Sequence, residues 1–288
     1  MHYQHRYHAG NFADVFKHVL LVELIDALNA KDAPWCYFET HGGAGLYALD
    51  DVAQQRSGEA RGGIFRLWDA PGAPPLQRYL ELVRSFNDGG PLQRYPGSPL
   101  IALRLARARD RIVVCEKLPA IAAELRALLS GEPRAAVHVR DGYEAASLLP
   151  PRERRGLVLV DPPFERSDEL EAIADFLAAA MKRYRNGTYA IWYPHKNRYQ
   201  TGRWLRRLRA GLTAEALKLH LDTGAPSAGQ MHACGMLVIN PPYSFATAVP
   251  RLLAALRPLL AQSAGAEVAH EPWPYKPHSM DSGGPDRT

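Results

Sequence analysis

The chain has 288 residues, room for one or two domains at about 150 residues each. Its 47% apolar and 23% charged residues exclude a disordered or fibrous chain, and no apolar run reaches the ~18 residues that cross a membrane. Thirty-five Lys and Arg against 30 Asp and Glu leave +5, an excess that permits an anionic partner without requiring one.

The N-terminal MHYQHRYHAGNFADVFKH has no apolar stretch that would serve as a signal peptide. His2, His5 and His8 are expected on an extended segment, a spacing that gives no preformed metal site. Asn11 caps a first helix, with Asp14 in its first turn. Phe12, Val15, Phe16 and Val19 recur at helical spacing; Asp14, Lys17, His18 and Leu21 fall on another face, which is expected to keep Lys17 and His18 out of the core. Seven β-like runs follow: Trp35–Thr40, Arg111–Glu116, Ala135–Asp141, Gly156–Asp161, Thr188–Tyr193, Ala216–Leu221 and Gly235–Asn240. RIVVCE and GLVLVD stay apolar up to a terminal acid, as strands of a parallel sheet do when helices cover both faces. Helical segments at Pro119–Leu129, Asp168–Arg185 and Tyr199–Ala210 alternate with them, which predicts a doubly wound α/β sheet. The stretch from Tyr47 to Gly97 breaks the alternation. One helical pattern, Leu76–Phe86, lies there among Pro71, Gly72, Pro74, Gly89 and Gly90, and a new helix starts at Ser98-Pro99. The expected organisation is an arm, helix and strand over 1–46, an insertion over 47–97, the rest of the core over 98–262 and a flexible tail over 263–288. Cys36, Cys115 and Cys234 lie far apart, without a CxxC or His-x-His pairing, which argues for reduced thiols in the cytoplasm rather than disulfides or zinc.

Three features carry chemistry. The segment Glu39-Thr-His-Gly-Gly-Ala-Gly45 places a GxG turn after an apolar strand, where a ligand can approach the backbone closely; a tight structural turn reads the same way. Glu116 ends the second strand, a place suited to the hydroxyls of a ribose and equally to an exposed charge beside Lys117. Asp141-Gly142 ends the third and reads also as a simple strand-to-turn signal. The sharpest feature is Asp161-Pro-Pro-Phe164 after Leu157–Val160. An exocyclic amine of adenine is a poor nucleophile, its lone pair delocalised into the ring. A carboxylate and a backbone carbonyl, here Asp161 and Pro162, can each accept one of its N–H bonds, while Phe164 stacks on a flipped base. Asn240-Pro-Pro-Tyr243 repeats the pattern after the seventh strand, which is expected to lie away from the ligand cleft. Four arginines in Arg203–Arg209, with Arg183, Arg185 and Lys196 nearby, suit phosphate contacts or a solvated helix face.

These residues together resemble the class I S-adenosylmethionine-dependent methyltransferases, which share the seven-strand order, the GxG turn, the acid after strand two and a [DNS]PP[YFW] motif after strand four. The chain is most similar to the bacterial 23S ribosomal RNA adenine-N6 methyltransferase J family. The carriers are Tyr3, His5, His8-Ala-Gly-Asn11, Ala13-Asp14, Lys17-His18, Thr40-His41, Gly43-Ala-Gly45, Tyr95-Pro-Gly-Ser-Pro99, Asp141-Gly142, Asp161-Pro-Pro163, Trp192-Tyr193-Pro194, Gly235-Met236 and Asn240-Pro-Pro242. The resemblance runs from Tyr3 to about Leu260. It implies a Rossmann-like, seven-stranded, mostly parallel sheet with helices on both faces and a small helical insertion. It also implies methyl transfer from S-adenosyl-L-methionine to N6 of one adenine of 23S rRNA, leaving S-adenosyl-L-homocysteine. Carried over residue by residue, cofactor contacts fall on His18, His41, Ser98, Glu116, Asp141, Gly142 and Asp161, with Asp161 catalytic. Tyr3 lies near the RNA and Lys17 near the active site. Phe164 stands where tyrosine is more usual. The expected protein is a cytoplasmic monomer with no metal and no membrane contact.

A DNA adenine-N6 methyltransferase would use the same chemistry, but an insertion of this size is small for a target-recognition domain. A protein or small-molecule methyltransferase working through Asn240, a nicotinamide-dependent oxidoreductase and a non-catalytic RNA-binding module are the other readings. Fold alone does not separate them.

Overall fold

The computed structural model describes residues 5–49, 58–70, 74–224 and 231–274. Tyr3 and His2 lie outside the described residues.

Helix α1 (Phe12–Asn29) starts where the Asn11 side chain accepts the backbone N–H groups of Ala13 and Asp14 at 3.0 and 2.9 Å. Such a cap contributes about 1 kcal/mol. The helix is buried almost all round, so Lys17 and His18, expected outside the core, are 5% and 1% exposed. The reason is what packs there. The first helix lies between the sheet, a helix of the C-terminal third and the inserted segment, so it has no water-facing side.

Strands β1 (Cys36–Glu39), β4 (Arg111–Glu116), β5 (Ala135–Val139), β6 (Gly156–Val160) and β7 (Thr188–Pro194) run parallel. Strand β9 (Ala233–Ile239) runs against β7 and β8 (Ala216–Asp222), and β10 (Glu267–Trp273) runs against β8. The order across the sheet is β10-β8-β9-β7-β6-β1-β4-β5. The chain moves outward from β1 to β4 and β5, then returns to β6 on the other side. The crevice at the carboxyl ends of β1 and β6 is therefore the topological switch point, where ligands bind in such sheets. Helices α4 (Ser98–Leu105), α5 (Pro119–Leu128), α6 (Glu169–Arg183), α7 (Arg198–Gly211) and α8 (Tyr243–Leu260) cover the sheet. Two apolar clusters result, one on each side of it.

Eight strands replace the seven expected. The additional one, β10, comes from the stretch read as tail. Its low apolar content hides it, since an edge strand buries little. Yet it makes a seven-residue antiparallel ladder with β8, and Trp273 closes it at 4% exposure with the Arg209 guanidinium 5.5 Å from its ring. The insertion also differs from a purely helical one. Its neck is a two-stranded ribbon of β2 (Leu46–Ala48) and β3 (Arg94–Pro96), with Tyr47 opposite Tyr95. Beyond the neck lie α2 (Ile64–Trp68) and α3 (Gln77–Arg84). Leu67, Tyr79, Leu80 and Val83 share one apolar cluster with Phe16 and Leu20 of α1.

Replacing Trp273 by alanine is expected to cost about 3–5 kcal/mol in denaturant unfolding; a loss near zero would return residues 267–273 to the tail.

Candidate active site

Glu39, Glu116 and Asp161 stand at the carboxyl ends of β1, β4 and β6, around the switch point. Each is held differently. The Glu116 carboxylate accepts the backbone N–H of Gly43 at 3.0 Å and of Leu118 at 2.8 Å, and so ties the glycine turn to β4. The turn itself leaves no room for side chains. A Cβ on Gly42 would lie 2.2 Å from Val114, and Gly43, at φ +62°, would meet the Tyr47 hydroxyl at 2.4 Å. The glycines predicted for close backbone approach thus also admit the chain's own atoms.

Asp141 accepts from Tyr143 N at 3.0 Å and from Lys117 Nζ at 2.8 Å. It caps the 3₁₀ turn Gly142–Leu148, which is the strand-to-turn role open in the sequence. Gly142 packs directly on the backbone of Thr40: a Cβ there would lie 2.0 Å from its carbonyl oxygen. His41 is joined to Thr40 Oγ1 at 2.8 Å and packs edge-on to Tyr143. Burial lowers its pKa to about 4, so it is neutral at physiological pH.

The proline turn after β6 brings Asp161 to α1. Lys17 Nζ lies 2.5 Å from Asp161 Oδ2 and 2.9 Å from Asp14 Oδ1. Burial alone would strip the proton from Lys17, but the two carboxylates outweigh it and hold the ammonium well above the usual lysine range. Asp14 is braced in turn by Gly10 N and by His5 Nε2, each at 3.0 Å. Burial works against its charge, yet His5 and Lys17 hold its carboxyl well below the usual range. Phe164 sits half-buried at φ +51°, a conformation rare for a bulky side chain. Its ring meets Trp192 edge-on at 5.7 Å. Pro162, between Asp161 and Pro163 in sequence, is buried.

The second Pro-Pro motif lies at the opposite end of the sheet. Strand β9 is reversed, so Ile239 pairs with Tyr189 at the start of β7. The Asn240 amide there donates to the carbonyls of Arg185 and Gly187, both at 2.8 Å. Its role is to close a turn.

Two groups lacked a role in the sequence. Glu39 is fully buried and accepts from Ser98 Oγ at 2.5 Å and Tyr37 OH at 2.9 Å. Burial pushes its carboxyl up to about 8 against these two donors. The signal was available, since Glu39 ends an apolar strand as Glu116 does. Tyr95 and Tyr79 lie behind His18, and no local pattern places them there. Of the arginines, Arg209 is bound to Glu271 at 2.7 Å and Arg183 to the Leu149 carbonyl at 2.8 Å; Arg203, Arg206 and Arg207 are exposed.

The family model described as Ribosomal RNA large subunit methyltransferase D, RlmJ, matches residues 32–273. This chain belongs to the RlmJ family. Its relatives named Ribosomal RNA large subunit methyltransferase J are 40% identical in both Haemophilus influenzae, covering 87% of this chain and 91% of the relative, and Escherichia coli, covering 84% and 87%. A crystal structure of a Legionella pneumophila protein superposes with a TM-score of 0.84 at 33% identity, over 92% of this chain and 98% of that one. The RlmJ fold is thus a Rossmann-like methyltransferase sheet, and S-adenosylmethionine is the cofactor the family implies. The residues present fit it. The buried His18 Nε2 has no partner among the described residues, the glycine turn offers bare backbone, and the Glu116 oxygens keep lone pairs for hydroxyl donors.

The raised Glu39 carboxyl has a consequence for stability. The folded chain keeps a proton that the unfolded chain releases above its ordinary value near 4.5, so this group's contribution is full below that value and is lost as pH rises through about 8. Glu39→Gln is therefore expected to flatten the fall in melting temperature between about pH 5 and about pH 9; an unchanged slope would mean that Glu39 is charged throughout.

Proposed function

We propose that this chain transfers a methyl group from S-adenosylmethionine to N6 of an adenine in 23S rRNA, with Asp161 as the catalytic residue. The observation that carries the reading is the Lys17–Asp161 contact at the switch point. When bound, S-adenosylmethionine supplies an electrophilic methyl group on its sulfonium. The chain's part is to present the amine. One Asp161 oxygen is taken by Lys17; the other accepts one N–H of the adenine amine, and the Pro162 carbonyl accepts the second. The nitrogen lone pair is thereby turned toward the methyl. Phe164 stacks on the flipped base, and its edge contact with Trp192 fixes the ring that does so. Catalysis by alignment of this kind needs no strong base before the transition state. The Lys17 ammonium fits that demand. It fixes Asp161 in place, facing the positive charge that develops on the amine nitrogen, and the Asp161 carboxylate takes the surplus N–H proton after the methyl has transferred.

His18, His41, Ser98, Glu116, Asp141 and Gly142 form the cofactor side, Glu116 on the ribose and Asp141 near the adenine. Ser98 contributes through Glu39. The exposed Arg203, Arg206 and Arg207 with Lys196 supply phosphate contacts that position RNA without reading its sequence. An rRNA substrate sets the work in the bacterial cytoplasm. Among the described residues no helix is long and apolar enough to cross a membrane.

Transfer of labelled methyl to total RNA and, separately, to DNA, followed by digestion to nucleosides, tests the reading. Labelled N6-methyladenosine from large-subunit rRNA is expected, falling by at least ~10³-fold in Asp161→Ala. Label in DNA alone would assign a DNA substrate instead, and full turnover by the variant would remove Asp161 from the mechanism. Asn240→Ala is expected to keep the turnover per folded molecule and to lose about 1–3 kcal/mol of stability, because two carbonyls lose their donor. Loss of chemistry in a stable Asn240→Ala protein would move the reaction to that motif.

A further inference from the structure

His18 has one partnered ring nitrogen and one without a partner. Nδ1 lies 2.8 Å from the Tyr95 hydroxyl, which lies 3.0 Å from the Tyr79 hydroxyl. Nε2 is buried with no partner among the described residues. Both tyrosines come from the inserted segment and are sealed from solvent, at 1% exposure for Tyr79 and 0% for Tyr95. The Tyr95 ring also stacks on the imidazole at 5.5 Å. Burial holds His18 well below the ordinary histidine range, with the neighbouring Lys17 charge acting in the same direction. The ring is therefore neutral and carries one proton.

Two proton arrangements satisfy both contacts. In one, Tyr79 donates to Tyr95, Tyr95 donates to Nδ1, and the imidazole proton sits on Nε2. In the other the direction is reversed: Nδ1–H donates to Tyr95 and Tyr95 donates to Tyr79. The Tyr79 proton then has no acceptor among the described residues, and Nε2 is left as a lone pair without a donor. A buried donor without an acceptor is what folded proteins avoid. The first arrangement leaves a single unmatched group, the Nε2–H.

We propose that Tyr79 and Tyr95 are positioning residues that lock His18 in the Nε2–H tautomer, so that its free edge presents one hydrogen-bond donor to an acceptor oxygen of S-adenosylmethionine. The inference rests on the function proposed above and adds a selection rule to it. A fixed N–H donates to a carboxylate or hydroxyl oxygen and repels an ammonium. The insertion takes part in cofactor choice through a line of hydroxyls that begins in its own core at Tyr79.

The test uses the full chain with isotope-labelled histidine. Long-range nitrogen–proton correlation spectra report each ring's tautomer, and the His18 signal is the one missing from His18→Gln. The expected wild-type signal is Nε2 protonated and Nδ1 bare. Tyr95→Phe, which keeps the stacking ring, gives a mixture of tautomers and binds S-adenosylhomocysteine about three- to tenfold more weakly in calorimetry, the effect of one neutral hydrogen bond. Tyr79→Phe moves the tautomer balance the same way. A wild-type proton on Nδ1 with S-adenosylhomocysteine still bound overturns the relay alone. So does a Tyr95→Phe protein with unchanged tautomer and affinity. Failure of the wild type to bind S-adenosylhomocysteine overturns the methyl-transfer reading and this selection rule with it.

Discussion

A buried ammonium holds this molecule's working parts together. Lys17 has no water to solvate it, so its charge survives only because Asp14 and Asp161 close on it from two sides. Breaking such a buried pair typically costs about 3–5 kcal/mol, because the remaining charge is stranded. That demand fixes α1 against the carboxyl end of β6. It also recruits His5 and Gly10 to Asp14, drawing the short 3₁₀ turn His5–Tyr7 toward the same place. A single charge therefore sets the positions of the N-terminal turn, the first helix and the proline turn.

The two Pro-Pro motifs show how direction decides chemistry. Both follow apolar strands, and each holds a residue at φ +51°. In the first, Asp161 emerges where five parallel strands end together beside a lysine. In the second, the strand is reversed, so the same local sequence emerges at the opposite end of the sheet among carbonyls that need a donor. Asparagine suits that second place because its amide supplies two N–H bonds, which a carboxylate lacks.

Much of this was legible in the sequence. Seven strands, the Asn11 cap and the separation of Asp161 from Asn240 follow from apolar runs and from order along the chain. What was hidden depends on tertiary partners. Lys17 and His18 were placed on an outer face because a helical period cannot know that a third element will cover that face. Strand β10 carries Glu267, His270 and Glu271 without a regular apolar alternation, so a pattern of burial does not single it out; its identity comes from the ladder with β8. Glu39 stood in plain view, yet its protonation comes from burial that outweighs the Ser98 and Tyr37 donors, and that burial is set by tertiary packing. The Tyr79–Tyr95–His18 line crosses three elements and has no local signature.

The enclosure of α1 bears on how the chain is made. This helix packs against α8, which follows it in sequence only after most of the sheet has been laid down. Until residues 243–260 emerge, the first helix has an apolar side without its partner. Contacts of such long sequence separation form slowly, and domains of this size expose sticky surface while they wait. The Lys17–Asp161 contact, between residues 144 apart, and the packing of α1 on α8 are both of this long-range kind, so neither forms until its distant partner segment is present.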